Sequence, residues 1–142
     1  MTVSRQTYIN PYLIFPGNCR EAMEFYKNVL NGKLEMMPFE GSPVDVPKDY
    51  QQKILHSTLK FGNAVVMASD NQPGQKVNFA DGIFLSIAAS TLEEAQNIFN
   101  SLSSGGKVIM PFEDTFWGSK FGMFSDKFGV GWMIGYETGQ EA

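Results

Sequence analysis

The chain has one cysteine and one histidine, Cys19 and His56, in 142 residues. A lone thiol excludes an internal disulfide framework, so the fold must rest on its core. No apolar run approaches the roughly 18 residues that a membrane helix needs. The first six residues are polar, and no secretory apolar region follows them. Basic residues are few and form no block, and the formal net charge is -4. That balance argues against sequence-independent nucleic-acid binding, which needs a cationic surface. No Ser-His-Asp or Cys-His spacing stands out for nucleophilic catalysis. What is present is globular: 43% hydrophobic and 18% charged residues, enough in one ordinary domain to bury a real core. The reading is a soluble, cytoplasmic protein with no membrane or nucleic-acid partner.

The chain also repeats itself. Met110-Pro111-Phe112-Glu113 repeats Met37-Pro38-Phe39-Glu40, and Lys127-Phe128-Gly129 repeats Lys60-Phe61-Gly62. An ordered repeat about half the chain long indicates one module written twice. In the first copy, residues 8–15 are β-rich. Pro11 confines that strand to a sheet edge or delays its start until after the proline. Asn18-Cys19-Arg20-Glu21 reads as a capping box, followed by a helical stripe of Cys19, Met23, Tyr26 and Leu30. Asn31-Gly32 ends the helix. Strands are expected over 33–39, 54–61 and 64–68, with a proline-bearing loop over 41–52. Over 54–61, Ile54, His56, Thr58 and Lys60 fall on one face and Leu55, Leu59 and Phe61 on the other. Residues 69–79 link the copies. The second copy offers a strand over 82–89, a capping box at Thr91-Leu92-Glu93-Glu94, and a stripe of Leu92, Ala95, Ile98, Phe99 and Leu102. Strands over 107–112, 121–125 and 130–136 follow, then a polar tail from Thr138 that is expected to fray. Each copy therefore reads strand, helix, strand, strand, strand. One helix covers only one face of a small sheet, and the uncovered faces are expected to line a shared trough.

Several blocks carry a family resemblance. They are Pro11-Tyr12-Leu13, Gly17-Asn18-Cys19 with Ala22 and Phe25-Tyr26, His56, Ser69-Asp70, Thr115-Phe116-Trp117-Gly118 with Phe121-Gly122, Asp126-Lys127-Phe128-Gly129-Val130, and Trp132. Over nearly the whole chain they resemble the PhnB-like group of the glyoxalase, bleomycin-resistance and extradiol dioxygenase (vicinal oxygen chelate) superfamily. The resemblance implies an α+β fold of two βαβββ modules, about 8–70 and 81–136, forming a curved mixed sheet around a trough within a single domain. It also implies a homodimer. The methyltransferase label often given to this group finds no G-x-G strand-to-helix loop here. Metal-dependent members hold a divalent ion with His, Glu or Gln from the first and last strands of each module. The corresponding positions here are Asn10 and Pro11, Val66 beside Met67, Gly82 and Ile83, and Met133. These are not the oxygen or imidazole donors that such an ion prefers, so no metal and no cofactor are expected.

His56 is the choice for an acid/base group, with a half-exposed strand histidine as the bland alternative. Glu113, ending its strand as Glu40 ends the equivalent one, is a second acid/base candidate. Phe116, Trp117 and Trp132 could wall a planar ligand, although the need to fill a core favours inward packing for Phe116 and Trp132. Gly118-Ser119-Lys120 suggests a rim for Trp117. Tyr12 offers a hydroxyl to a ligand. Met133 joins the lining, while most methionines read as soft filler. Cys19 sits where a helix dipole favours a thiolate, but it also fits the apolar stripe and reads as inert. Two functions result. One is a metal-independent small-molecule-binding protein. The other is an enzyme on a small substrate, of lyase, isomerase or dioxygenase type, using His56 and Glu113 with or without a metal.

Overall fold

The computed structural model describes residues 6–137; the polar tail from Thr138 lies outside them. The chain divides into two compact units at Val77/Asn78, inside the stretch read as the link.

The first unit runs β1 (Tyr12–Phe15), α1 (Cys19–Leu30), β2 (Lys33–Pro38), a 3-10 turn (Lys48–Tyr50), β3 (Ile54–Phe61) and β4 (Ala64–Asp70). The second runs β5 (Leu85–Ala88), α2 (Leu92–Leu102), β6 (Lys107–Asp114), β7 (Ser119–Ser125) and β8 (Gly131–Glu137). The sheet orders are β1-β4-β3-β2 and β5-β8-β7-β6. In each, the first strand pairs parallel with the last and the other pairings are antiparallel. The two modules thus share one βαβββ topology in an α+β fold, as the repeat predicts. β1 starts after Pro11 and is also an edge strand, where a missing amide donor costs nothing.

Each helix buries its stripe on one face of its own sheet, except that Leu92, expected in the second stripe, is exposed at the first turn of α2. In the first module, Cys19, Met23 and Tyr26 are fully buried, together with Phe15, Leu59 and Ala68 from the strands. In the second, Ala95, Phe99 and Leu102 pack with Phe124, Trp132 and Ile134. Phe99 meets Phe124 edge-on at 5.1 Å. The approach is close enough at Gly106 that a Cβ there would lie 2.1 Å from the Ser125 carbonyl oxygen, so only glycine fits after α2.

The two helix starts differ. Thr91 caps α2 as expected: its Oγ1 accepts from the Glu94 amide at 3.1 Å. The Glu94 carboxylate reaches back to the Ser90 amide rather than to Thr91. The box expected at Asn18 does not form. Asn18 makes no side-chain cap, and its buried Oδ1 has no partner. Asp70, at the end of β4, replaces it. Its Oδ1 accepts from the Cys19 amide at 2.9 Å and its Oδ2 from the Ile54 amide at 2.8 Å. One buried carboxylate therefore ties the start of α1 to the start of β3, a charge-assisted arrangement favoured by the helix dipole. At the other end, Asn31 rather than Gly32 takes the left-handed conformation, with φ 54°.

Urea denaturation of single variants separates these roles. Thr91→Ala should lose about 1 kcal/mol, and Asp70→Ala roughly 3 kcal/mol, because two buried amides lose their acceptor. Asn18→Ala should stay within about 0.5 kcal/mol of the parent. A loss at Asn18 as large as that at Thr91 would place the cap back on Asn18.

Candidate functional site

A four-stranded sheet with one helix alternates buried and open residues. In the first module Leu13, Phe15, Val66, Ala68 and Ser57 face α1. The intervening residues form the open face. Cross-strand pairs fix its rows: Tyr12 pairs with Met67, Met67 with Thr58, and Thr58 with Glu35. In the next row Ile14 pairs with Ser69, and His56 with Met37. Tyr12, Ile14 and Met37 are exposed, at 44%, 43% and 54%.

His56 is held from both sides on this face. The Tyr12 hydroxyl lies 3.2 Å from Nδ1, and Thr58 Oγ1 lies 3.3 Å from Nε2. The Tyr12 and His56 rings sit 5.7 Å apart. Two of the candidates are thus brought together, and Thr58, seen in sequence only as a same-face neighbour, completes the group.

In the second module the open face reads Ser86, Met133, Met123 and Met110 in one row. The next holds Ala88, Gly135, Phe121 and Glu113. Glu113 is exposed in β6 beside Phe121. Its counterpart by row is Met37 and not Glu40, because register shifts in β6 break the simple correspondence. Glu40 lies past the end of β2 and accepts from the Gln52 side chain at 2.6 Å. His56 and Glu113 stand in different modules.

The aromatic candidates divide differently from the inward packing favoured for Phe116. Phe116 is 96% exposed and Trp117 56%. Thr115 closes the loop through its amide and hydroxyl on Ser119, and Gly118 turns it with φ 88°. A loop pinched at its base cannot fold its tip back into the core. Phe116 meets Trp117 edge-on at 5.0 Å, and Trp117 lies 6.3 Å from Phe121. Trp132, in contrast, is 1% exposed, and its indole N–H donates to Asp126 Oδ2 at 2.8 Å. As a ligand contact Trp132 is therefore corrected: alternation along β8 turns it to α2 and turns its neighbour Met133 to the open face.

The superfamily's metal positions also move. β5 begins at Leu85, so Gly82 and Ile83 precede it, and Ser86 pairs with Met133. Val66 is buried under α1. Met67, opposite Tyr12, is the open-face equivalent of Met133, because the β3–β4 turn is shorter than the β7–β8 turn. The first- and last-strand donors are therefore a phenol, a serine hydroxyl and two thioethers, a poor set for a hard divalent ion. Within each module, among the described residues, no three His, Cys, Asp or Glu side chains converge.

Cys19 is fully buried. Burial pushes its thiol up to about 12, against a smaller lowering by its contact with Ser57. Ser57 Oγ lies 3.7 Å from the Cys19 sulfur and donates to the Ala68 carbonyl at 2.8 Å. A thiol that holds its proton to about 12 when folded but ionises near 9.0 when exposed makes the unfolded chain the better proton donor above pH 9. Its contribution to stability is complete below about 9, falls as pH rises from there and levels off beyond about 12. Native protein should resist iodoacetamide at pH 8, whereas urea-unfolded protein reacts fully; rapid labelling of the native form would contradict the buried thiol.

The family model described as 3-demethylubiquinone-9 3-methyltransferase matches residues 7–135. The crystal structure of PA1353 from Pseudomonas aeruginosa is 46% identical, with a TM-score of 0.84, over 94% of this chain and 99% of that one. The structure described as a putative 3-demethylubiquinone-9 3-methyltransferase, PhnB protein, from Bacillus cereus is 25% identical, with a TM-score of 0.77, over 92% and 99%. A glyoxylase/bleomycin resistance protein/dioxygenase domain from Frankia sp. shares the fold at 12% identity, with a TM-score of 0.65, over 96% and 100%.

Proposed function

Since the chain belongs to the 3-demethylubiquinone-9 3-methyltransferase family, the PhnB-like group of the glyoxalase/bleomycin-resistance superfamily, we propose that it is a small-molecule-binding protein that works without the superfamily's usual metal. The observation that carries this reading is the group Tyr12, His56 and Thr58, set on an open sheet face among Ile14, Met37 and Met67. A few directed polar groups in an apolar surround are the usual composition of a small-molecule site. Phe116, Trp117 and Met133 supply further ligand surface on the second module. No glycine loop of the nucleotide-binding kind supports methyl transfer among the described residues. The sequence Gly129-Val130-Gly131 lies at a hairpin between two strands, whereas a nucleotide-binding glycine loop opens a helix.

A second reading is an enzyme on a small substrate, with His56 and Glu113 as acid/base groups. The hydroxyls on both ring nitrogens favour it, because they orient an imidazole as a base must be oriented. Glu113 contributes to it only as an exposed carboxylate.

Thermal unfolding against a panel of phenols, aromatic acids and quinones tests the binding reading. A ligand at about 100 times its Kd stabilises the folded state by about 2.7 kcal/mol and raises Tm by several degrees. Tyr12→Ala should weaken that ligand about tenfold. A panel that leaves Tm unchanged throughout would remove the proposal.

Freshly purified protein distinguishes the two readings. Metal analysis should find less than stoichiometric zinc, iron, manganese or nickel, and sedimentation should give the mass of two chains, the cytoplasmic homodimer that we include in the proposal. Stoichiometric metal would transfer support to the enzyme. No helix among the described residues is long and apolar enough to cross a membrane.

A further inference from the structure

We infer that His56 is a positioning residue: the hydroxyls of Tyr12 and Thr58 meet the ligand, and the imidazole between them decides which of the two donates outward. The inference rests on the ligand-binding reading and specifies the ligand's chemistry.

Both ring nitrogens are already engaged, Nδ1 by Tyr12 at 3.2 Å and Nε2 by Thr58 at 3.3 Å. A neutral imidazole has one N–H and one lone pair, so two arrangements exist. In the first, the Tyr12 O–H donates to Nδ1 and the Nε2 hydrogen is donated to Thr58 Oγ1. The Thr58 hydrogen then points outward, and the Tyr12 oxygen can only accept. In the second, the Nδ1 hydrogen goes to the Tyr12 oxygen and Thr58 donates to Nε2. Tyr12 then donates outward and Thr58 accepts. Either way the chain of three groups offers one donor end and one acceptor end, and a change of tautomer exchanges them.

The ends are set apart by the sheet. Tyr12 and Thr58 both pair with Met67, on the strands either side of it, so their backbones are two strand spacings apart, roughly 10 Å. Met67 lies between them, with Ile14 and Met37 in the adjoining row. The site therefore takes a flat, largely apolar molecule with a hydrogen-bond donor at one end and an acceptor at the other. A molecule with acceptors at both ends leaves one of them facing an oxygen with no hydrogen to give, and an unmade hydrogen bond on a partly desolvated surface costs about 1 kcal/mol.

Because His56 is the only histidine, histidine labelled with ¹⁵N reports on one ring. At mildly alkaline pH, where imidazole is ordinarily neutral, Tyr12→Phe and Thr58→Val should each displace the ring-nitrogen resonances. Saturating 4-(hydroxymethyl)benzaldehyde, whose alcohol keeps its hydrogen at this pH, should drive the two resonances apart toward a single tautomer. Terephthalaldehyde, an acceptor at both ends, should bind roughly fivefold more weakly or worse, and Tyr12→Phe should abolish that preference. Ring resonances unmoved in both variants would overturn the bridge even if ligands bind. Equal affinity for the two probes would overturn the selection rule. Resonances that move in the variants, in a protein that no compound of the panel stabilises, would overturn the ligand-binding reading itself and with it the outward role of the hydroxyls.

Discussion

The constraint on which the rest depends is that each four-stranded sheet has a single helix to cover it. Side chains alternate across a strand, so every residue sent under the helix sends its neighbours to the other side. In β8 this alternation buries Trp132 and presents Met133. In β3 it buries Ser57 and Leu59 and presents His56 and Thr58. The candidate site is thus the complement of the core. Burial of Cys19, Met23 and Tyr26 against one side of the first sheet is what holds Tyr12, His56 and Thr58 together on the other.

The two modules keep this plan by different local means. Thr91 caps α2 from within its own chain segment. α1 relies instead on Asp70, whose carboxylate also receives the Ile54 amide. That second contact fixes the start of β3, the strand that carries His56 and Thr58. The structural carboxylate and the candidate site are therefore joined through a strand, while Asp70 itself stays buried at 6% exposure. The thiol of Cys19, raised by the same burial, is inert for the same reason.

Much of this was legible. Two helical stripes, Cys19 to Leu30 and Leu92 to Leu102, emerge from spacing alone, because a helix needs a continuous apolar face. The repeated blocks revealed the doubled βαβββ order, and the family match over residues 7–135 covers nearly the stretch that the resembling blocks span. Equivalence of single positions was not legible. Register shifts in β6 make Met37 the counterpart of Glu113, and unequal hairpins make Met67 the counterpart of Met133. A bulge or an extra turn residue exchanges faces without leaving a periodic signal. Phe116 was misplaced on composition, since aromatic residues usually fill cores, whereas the Thr115–Ser119 closure exposes it.

By itself, the sequence determined the class of fold, the doubling, the placing of His56 and Thr58 on one face of a strand, and the scarcity of metal-binding side chains at the expected positions. These follow from local rules: helical spacing, strand alternation and the chemistry of each side chain. Only the tertiary structure decided that Tyr12 reaches His56 from a strand 44 residues away in sequence, that Asp70 rather than Asn18 serves α1, and that Phe116 is exposed. The first two outcomes depend on strand register and on which partner satisfies a buried amide, and both are set by contacts between segments far apart in the chain.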